Sequence, residues 1–321
     1  MASLLIIRPG LLTTIQDRGR WGWQSRGVPV SGPMDPLSHR LANALVGNDA
    51  GAATLEVTLT GPEVEFDTER VVAMTGARFE VMLDGRPVPM DRPFIVSTRS
   101  RLRFGTRLRG ARAYLAVAGG IDVPPVLGSR STHLSSAMGG MDGRPLRSGD
   151  RVPLGDPGTG RLLSTVQHPS GHESLWSHRP GSGAVRVRVL PGPHQEHFDA
   201  DALARLQSAP YTIGSQSDRM GYRLSGPALT HARDGEMISD ATPIGSIQVP
   251  RSGQPVLLMA DRQTSGGYPI VASVVTADIG VAGQLGPGGS IAFVQCFRRE
   301  AIADLVAQER TLLALETESA R

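Results

Sequence analysis

Short β-type runs, each bounded by Gly, Pro or Asp, follow one another along most of this chain and decide its fold class. The 39 Gly and 24 Pro residues make up about a fifth of the 321 residues, a balance that disfavours a helix bundle. Short strands at this spacing indicate a mainly β protein built from antiparallel barrels or sandwiches. The runs are Val71–Thr75, Phe79–Leu83, Phe94–Ser97, Leu102–Phe104, Ala113–Val117, Val185–Leu190, Ile244–Val249, Val256–Met259, Ile270–Val275 and Ile291–Val294.

Three helices are predicted between and after the strands. The first, Pro36–Val46, has Asp35 as its N-cap, proline at its first position and glycine directly after its end. The second spans about Ala200–Gln207 and is predicted to be capped by Asp199. The third runs from about residue 299 to residue 316, where apolar residues recur with a helical period.

A segment rich in Gly, Ser, Pro and His divides the chain into halves. Residues 155–183 show no sustained periodicity, which is typical of a linker or a long surface connection. The sequence therefore predicts an N-terminal barrel over residues 1–154 and a C-terminal barrel with a terminal helix over residues 184–321. No repeat at the residue level relates the halves, although both are rich in strands and contain one early helix.

The chain contains no lysine, because all 33 of its basic residues are arginine. This excludes a Walker A lysine, a Schiff-base lysine, a Ser-x-x-Lys nucleophile pair and a lysine that carries biotin. Any ATP or biotin chemistry must therefore be supplied mainly by another chain. The 30 acidic residues reduce the formal net charge to +3, so nucleic acid is not the expected partner.

Cysteine, histidine and hydropathy patterns exclude further classes of function. Cys296 is the sole cysteine, which rules out an internal disulfide and a Cys-rich zinc site. His194 and His197 have no third ligand nearby, so no metal site is predicted. No apolar run approaches the ~18–20 residues needed to cross a bilayer, and the first apolar stretch lacks a basic n-region. We expect a cytoplasmic protein without a membrane partner.

Two Gly-rich loops in the first half collect acids, arginines and hydroxyls. Asp17 and Arg18 follow an apolar run, and Arg130 lies between Ser129 and Ser131. Guanidinium groups suit bidentate recognition of a carboxylate or phosphate. A turn in which Asp17 accepts backbone N–H bonds is an equal alternative for the first loop, and a turn hydrogen-bond network is the alternative for the second.

The second half holds a denser set of polar residues. Asp218 and Arg219 repeat the acid-plus-arginine pattern, with an ion pair within the loop as the alternative. A strand, a polar Gly-rich loop and a further strand follow, an order typical of a ligand-binding loop. In this region Asp261 is a candidate base or orienting group, and hydroxyls and amides are candidate oxyanion donors. The polar residues concerned are Gln248, Gln263, Thr264, Gly266, Gly267 and Tyr268.

The motifs of both halves resemble one family. They are similar to the urea amidolyase-related proteins, also called allophanate hydrolase subunit 2, Kip antagonist, biotin-dependent carboxyltransferase or the C subunit of 5-oxoprolinase. The resemblance follows the chain in order from about Ile6 to Val294. It is carried by Arg8–Gly10, Gln16–Arg20, Gly32–Asp35, Ala42–Asn43, Leu55–Val57, Ala118–Gly120, Gly128–Thr132, Ser217–Tyr222 and Asp261–Pro269.

The resemblance implies two cyclophilin-like β-barrel subdomains and a chain that is active only in a complex. One implied partner is a smaller cyclophilin-like subunit of the allophanate hydrolase subunit 1 or Kip inhibitor type, and another is a lactam-utilisation-type subunit. Together they would open 5-oxo-L-proline to L-glutamate with ATP used by the complex and no cofactor bound covalently to this chain.

Two alternatives remain open at this point. The chain is similar to the carboxyltransferase part of a biotin-dependent urea carboxylase or allophanate hydrolase-type system, with biotin carried on another chain. It also resembles a regulatory protein that antagonises a kinase inhibitor.

The roles of individual residues follow from the same matching positions. Asp17, Asp218 and Asp261 are assigned to orientation or proton transfer. The substrate is expected to be a small amide. Its contacts are assigned to Arg18, Arg130, Arg219, Gln248, Gln263, Thr264, Gly266, Gly267 and Tyr268.

Overall fold

The computed structural model describes residues 2–157, 183–232 and 237–319, so most of the predicted linker, 155–183, lies outside the described residues. The chain packs into two compact units. The first consists of the described residues within Met1–Arg20, Ser31–Leu175 and Glu309–Arg321. The second consists of those within Trp21–Val30 and Trp176–Gln308. The two units therefore interleave along the sequence, whereas the predicted domains are contiguous.

The first unit is built on a nine-stranded antiparallel sheet that forms a half-barrel. Its central path runs β2-β3-β8-β4-β1-β9, and β5 pairs with β6, β7 and β8. The strands are β1 Ser3–Arg8, β2 Leu12–Gln16, β3 Thr54–Thr58, β4 Glu63–Phe66, β5 Arg70–Leu83, β6 Arg86–Pro87, β7 Phe94–Val96, β8 Arg101–Val117 and β9 Arg151–Pro153.

Both faces of β3 are buried, and they differ in chemistry. Leu55 and Val57 of β3 belong to the hydrophobic core cluster, whereas Glu56 between them is buried on the opposite face. Helix α1, Pro36–Leu45, packs against β3, β5 and β8. The predicted cap is confirmed, since the carboxylate of Asp35 accepts the Ser38 N–H at 3.0 Å.

A buried hydrogen-bond network fixes the chain just before α1. The Glu56 carboxylate accepts from the Tyr114 hydroxyl at 2.7 Å and from the Met34 N–H at 2.8 Å. The Tyr114 oxygen in turn accepts the Asp35 N–H at 2.8 Å. Burial, together with the charges of Glu56 and Asp35, raises the pKa of Tyr114 well above its ordinary value, so the phenol stays protonated and remains a donor.

The second unit contains a closed seven-stranded barrel with the order β10-β17-β14-β15-β12-β11-β18. Its neighbours pair antiparallel except β10 and β18, which pair in parallel. A separate two-stranded sheet joins β13 and β16. The strands are β10 Val185–Pro191, β11 Tyr211–Ile213, β12 Gly221–Ser225, β13 Asp240–Ala241, β14 Ser246–Gln248, β15 Val256–Leu258, β16 Ser265–Gly266, β17 Ile270–Val274 and β18 Ser290–Gln295.

The later helices depart from the prediction in their bounds. Helix α2 spans Ala202–Ser208, and its N-cap is Asp201 rather than Asp199; the Asp201 side chain makes no capping hydrogen bond. Asp199 contributes only its backbone carbonyl, which accepts the Ala202 N–H at 3.0 Å. Helix α3, Ile279–Gly283, is too short to give a periodic signal. Helix α4 is longer than predicted and spans Arg298–Ser319.

Short 3₁₀ turns lie at Gln24–Arg26, Gln195–His197 and Thr276–Asp278.

The end of α4 is held to α1 by charge within the first unit. The Arg40 guanidinium lies 2.8 Å from both carboxylate oxygens of Glu309 and donates from Nε to Glu316 at 3.0 Å. Burial lowers the pKa of Arg40, but the hydrogen bonds to both glutamates outweigh it and raise the pKa overall. Arg40 is therefore a permanent cation that anchors the last turns of the helix.

The mainly β prediction is confirmed, with a half-barrel in the first unit, a closed barrel in the second and a C-terminal helix. Among the described residues, no helix combines the length and the apolar character needed to cross a bilayer.

Candidate functional site

Asp17 is the centre of a polar cluster in the first unit. Its carboxylate accepts from the hydroxyls of Ser129 at 2.6 Å and Ser131 at 2.7 Å. It also accepts from the backbone N–H groups of Arg130 at 2.5 Å and Gly19 at 2.9 Å. Burial raises the pKa of Asp17, but these four hydrogen bonds outweigh it and the pKa is lowered overall. The carboxylate is thus a buried anion that ties together the two predicted loops.

The arginine side chains of these two loops lie in different surroundings. Arg130 donates from Nη2 to Asp122 at 2.7 Å and from Nε to the Val123 carbonyl at 2.9 Å. Arg18 is exposed. The cluster therefore contains the turn hydrogen bonds that the sequence analysis left as the alternative. Arg130 contacts Asp17 through its backbone N–H and not through its guanidinium.

In the second unit, Arg219 and Asp261 form a buried bidentate ion pair. Arg219 Nε lies 2.9 Å from one carboxylate oxygen and Nη2 lies 3.1 Å from the other. Each side chain is only 4% exposed. The pairing joins the turn before β12 to the loop after β15, and the backbone N–H of Asp261 also donates to the Arg219 carbonyl at 2.8 Å. These two predicted site residues are therefore brought together and directed at each other.

A cleft of about 500 Å³ lies beside this ion pair, in the second unit. Four predicted site residues line it, together with Arg262, which the sequence analysis did not single out. Asp218 is exposed at its edge and accepts the Met220 N–H at 2.8 Å. The lining includes Asp218, Arg223, Gln248, Arg262, Gln263 and Tyr268.

The loop that forms one wall of the cleft is fixed by Thr242. The Thr242 N–H donates to the Thr264 carbonyl at 3.1 Å, and its hydroxyl donates to the Gln263 carbonyl. Arg262 Nε donates to the Thr242 carbonyl at 2.6 Å. None of these three bonds uses the side chain of Gln263, which is exposed and lines the cleft.

Two carboxamides converge behind the same loop. The buried Gln248 donates from Nε2 to the Tyr268 carbonyl at 3.2 Å. A Cβ placed on Gly266 would lie 2.6 Å from Gln263 Nε2 and 2.7 Å from Gln248 Nε2. Glycine at 266 is therefore what allows the two amides to approach this backbone.

Tyr268 separates this cleft from a neighbouring one of about 1040 Å³, since it lines both. Its side chain is half exposed, and Gly267 lines only the neighbouring cleft. Thr264 is half-buried and, like Gly266, Arg219 and Asp261, does not line the first cleft. Of the predicted residues of the second unit, Asp218, Gln248, Gln263 and Tyr268 therefore line the first cleft. The others do not line it: they are Arg219, Asp261, Thr264, Gly266 and Gly267.

The arrangement supplies hydrogen-bond donors and acceptors for a small polar ligand. Within residues 2–157, 183–232 and 237–319, no three His, Cys, Asp or Glu side chains are grouped closely enough to hold a metal ion. The cleft instead offers carboxamides, an aromatic ring and guanidinium groups. Such a lining suits recognition of amide and carboxylate groups.

The sequence matches the family described as "Carboxyltransferase domain, subdomain A and B" over residues 26–295. The chain is 42% identical to the C subunit of 5-oxoprolinase from Escherichia coli over 307 residues, which is 96% of each chain. It is 38% identical to urea amidolyase of Saccharomyces cerevisiae over 91% of this chain and 16% of that protein.

A solved structure shows the same fold. The crystal structure of the Kluyveromyces lactis urea amidolyase superposes with a TM-score of 0.89 at 32% identity, covering 98% of this chain and 20% of that one. This chain therefore corresponds to about a fifth of that larger protein. The family match spans most of the chain and agrees with the fold, and the chain belongs to the carboxyltransferase-domain family, subdomains A and B.

Proposed function

We propose that this chain is a subunit of an ATP-dependent, cytoplasmic enzyme complex that opens 5-oxo-L-proline to L-glutamate. The observation that carries the proposal is the cleft in which Gln248, Gln263 and Tyr268 meet Arg262. Support also comes from two relatives, each named as the C subunit of 5-oxoprolinase, which match along nearly their whole length.

The chemistry of this substrate fits the cleft. 5-Oxo-L-proline is a small lactam that carries a carboxylate, so it needs partners for one N–H, one carbonyl and one anion. Carboxamide side chains both donate and accept, and a tyrosine ring packs against a small ring. During ATP-dependent opening the lactam oxygen is activated and water attacks, so donors near the developing oxyanion lower the barrier.

Other chains must complete the reaction. Because this chain has no lysine, we assign ATP handling to a lactam-utilisation-type subunit. A smaller cyclophilin-like subunit of the allophanate hydrolase subunit 1 type is the second proposed partner. No covalent cofactor is assigned to this chain.

The test is glutamate release from 5-oxo-L-proline and ATP by the three subunits, with each one omitted in turn. We expect release only when all three are present. Release by the other two subunits alone would remove this chain from the reaction.

Biotin-dependent carboxyl transfer is the second candidate function, favoured by the family description and by the urea amidolyase relatives. In that reaction biotin on another chain would deliver a carboxyl group to an amide in the same cleft. The distinguishing result is bicarbonate-dependent carboxylation of an amide acceptor in the presence of a biotinylated carrier, without glutamate release. A stable complex with neither activity would indicate a regulatory protein instead.

Gly266→Ala is expected to impair substrate binding more than folding. The new methyl group displaces the ends of Gln263 and Gln248, which are flexible side chains rather than backbone. We expect KM for 5-oxo-L-proline to rise about 10-fold, as for the loss of one or two hydrogen bonds, with a change in melting temperature of only a few degrees. Gly267→Ala is the matched comparison: the sequence analysis assigned Gly267 to substrate contacts, but the residue does not line this cleft, and a Cβ there would have its nearest neighbour at 3.7 Å. Equal KM values for the two variants would contradict the assignment of the amides to the substrate.

A further inference from the structure

Arg262 is a buried cation that borders the cleft. Only 8% of the residue is exposed. Among the described residues, its guanidinium makes one hydrogen bond, from Nε to the Thr242 carbonyl, and no ion pair. The bond to Thr242 fixes one edge of the guanidinium, and the residue lines the cleft.

The adjacent carboxylate does not act as the partner of this cation. Asp261 directs both of its oxygens at Arg219, at 2.9 and 3.1 Å. Burial lowers the pKa of Arg262 to about 10, while the Asp261 charge acts in the opposite direction. Arg262 therefore remains a cation at neutral pH, in surroundings that penalise an uncompensated charge.

Three other arginines with buried or half-buried side chains have carboxylate partners, whereas the buried Arg20 donates to the backbone carbonyls of Val126 and Ser131. Arg219 pairs with Asp261, Arg40 with two glutamates and Arg188 with Asp278 at 2.6 Å. Along the cleft, Arg262 is accompanied by the neutral side chains of Gln248, Gln263 and Tyr268, and by the exposed side chains of Asp218 and Arg223. An anion entering the cleft would supply a counter-charge that the residues described in the structure do not place on Arg262.

We propose that Arg262 binds the carboxylate of a small amide substrate, with the amide group held by the carboxamides of the same cleft. This deepens the proposed function and rests on it for the identity of the substrate. Arg262 then determines specificity, since it distinguishes a lactam that carries a carboxylate from a neutral analogue of the same shape. A charge-assisted hydrogen bond of this type contributes about 1.5–3 kcal/mol, or about 10- to 100-fold in affinity.

The test compares 5-oxo-L-proline with its carboxamide, 5-oxo-L-prolinamide, as ligands of the three mixed subunits. Equilibrium dialysis without ATP measures binding independently of turnover. For Arg262→Gln we expect 5-oxo-L-proline to bind about 10- to 100-fold more weakly and the carboxamide to bind nearly as before. Arg262→Lys retains the charge and is expected to lose about 10-fold or less, which keeps the test valid if the glutamine variant folds poorly.

Arg186→Gln is the matched control, because Arg186 is an exposed arginine of β10 that lines neither cleft. It is expected to bind both ligands as the unaltered chain does. Equal weakening of both ligands by Arg262→Gln, or no weakening of either, would overturn the proposal for Arg262. Absence of glutamate release despite charge-selective binding would instead count against the proposed reaction and leave the Arg262 assignment supported.

Discussion

Arg219→Ala is expected to lower the free energy of unfolding by about 3–5 kcal/mol, the cost typical of leaving one charge of a buried ion pair without its partner. Asp261 would keep its charge at a site where its side chain is 4% exposed. Urea denaturation followed by circular dichroism measures this loss. Asp261→Asn is expected to be similarly costly, because it leaves the Arg219 guanidinium buried.

A double replacement separates the contribution of the two charges to stability from the contribution of side-chain packing. Arg219→Met combined with Asp261→Leu removes both charges and is expected to cost less than either single change. If the free energy of unfolding of Arg219→Ala lies within about 1 kcal/mol of that of the unaltered chain, the pair is not structurally essential. Arg262 and Gln263 directly follow Asp261, so unfolding around the ion pair would also displace these two cleft residues. Turnover of these variants should therefore be divided by the fraction of folded protein before a loss is attributed to catalysis.

Asp17→Asn is expected to destabilise the first unit by about 2–3 kcal/mol near neutral pH, because a neutral amide accepts fewer of the four hydrogen bonds and accepts them more weakly. The folded-state pKa of Asp17 lies below the unfolded value of about 3.9. Its carboxylate therefore contributes its full stability above that unfolded value, and the contribution is lost as the pH falls through the folded pKa.

The pH dependence of the unfolding free energy distinguishes a buried, hydrogen-bonded Asp17 carboxylate from an exposed surface charge. The difference in unfolding free energy between Asp17→Asn and the unaltered chain should be largest near pH 7 and should shrink below about pH 4. Asp142→Asn is the control, because the Asp142 side chain is 85% exposed. A difference for Asp17→Asn that is constant from pH 7 to pH 3 would contradict the assignment.

Local signals were sufficient for the elements that local chemistry determines. Helix α1 was predicted within one residue because Asp35, Pro36 and Gly47 mark its ends. The long strands were not predicted at their full length, because the glycines within them resemble the ends of strands. Gly76 has φ of +91°, a Cβ there would lie 2.4 Å from the Arg112 carbonyl, and the register of β5 with β8 shifts just after it. A glycine interpreted as a turn is thus a bulge within one strand.

The candidate site depends on contacts that are distant in sequence. Asp17 and Ser129 are 112 positions apart, and Arg219 and Asp261 are 42 apart. The sequence predicted that these residue types matter but not which guanidinium has a carboxylate partner. Arg262 was given no role, although it follows Asp261 in the same acid-plus-arginine order in which Arg219 follows Asp218. Burial and pairing make the difference, and both are properties of the folded chain.

The position of β18 in the barrel determines when that barrel can close during synthesis. β18 lies between β10 and β11, pairing with both, although about a hundred residues separate it from β10. Until residues 290–295 have left the ribosome, the first two strands of the barrel each have an unpaired edge. Contacts between such distant segments form slowly. The nascent second unit is therefore open to misassembly until these residues have been made.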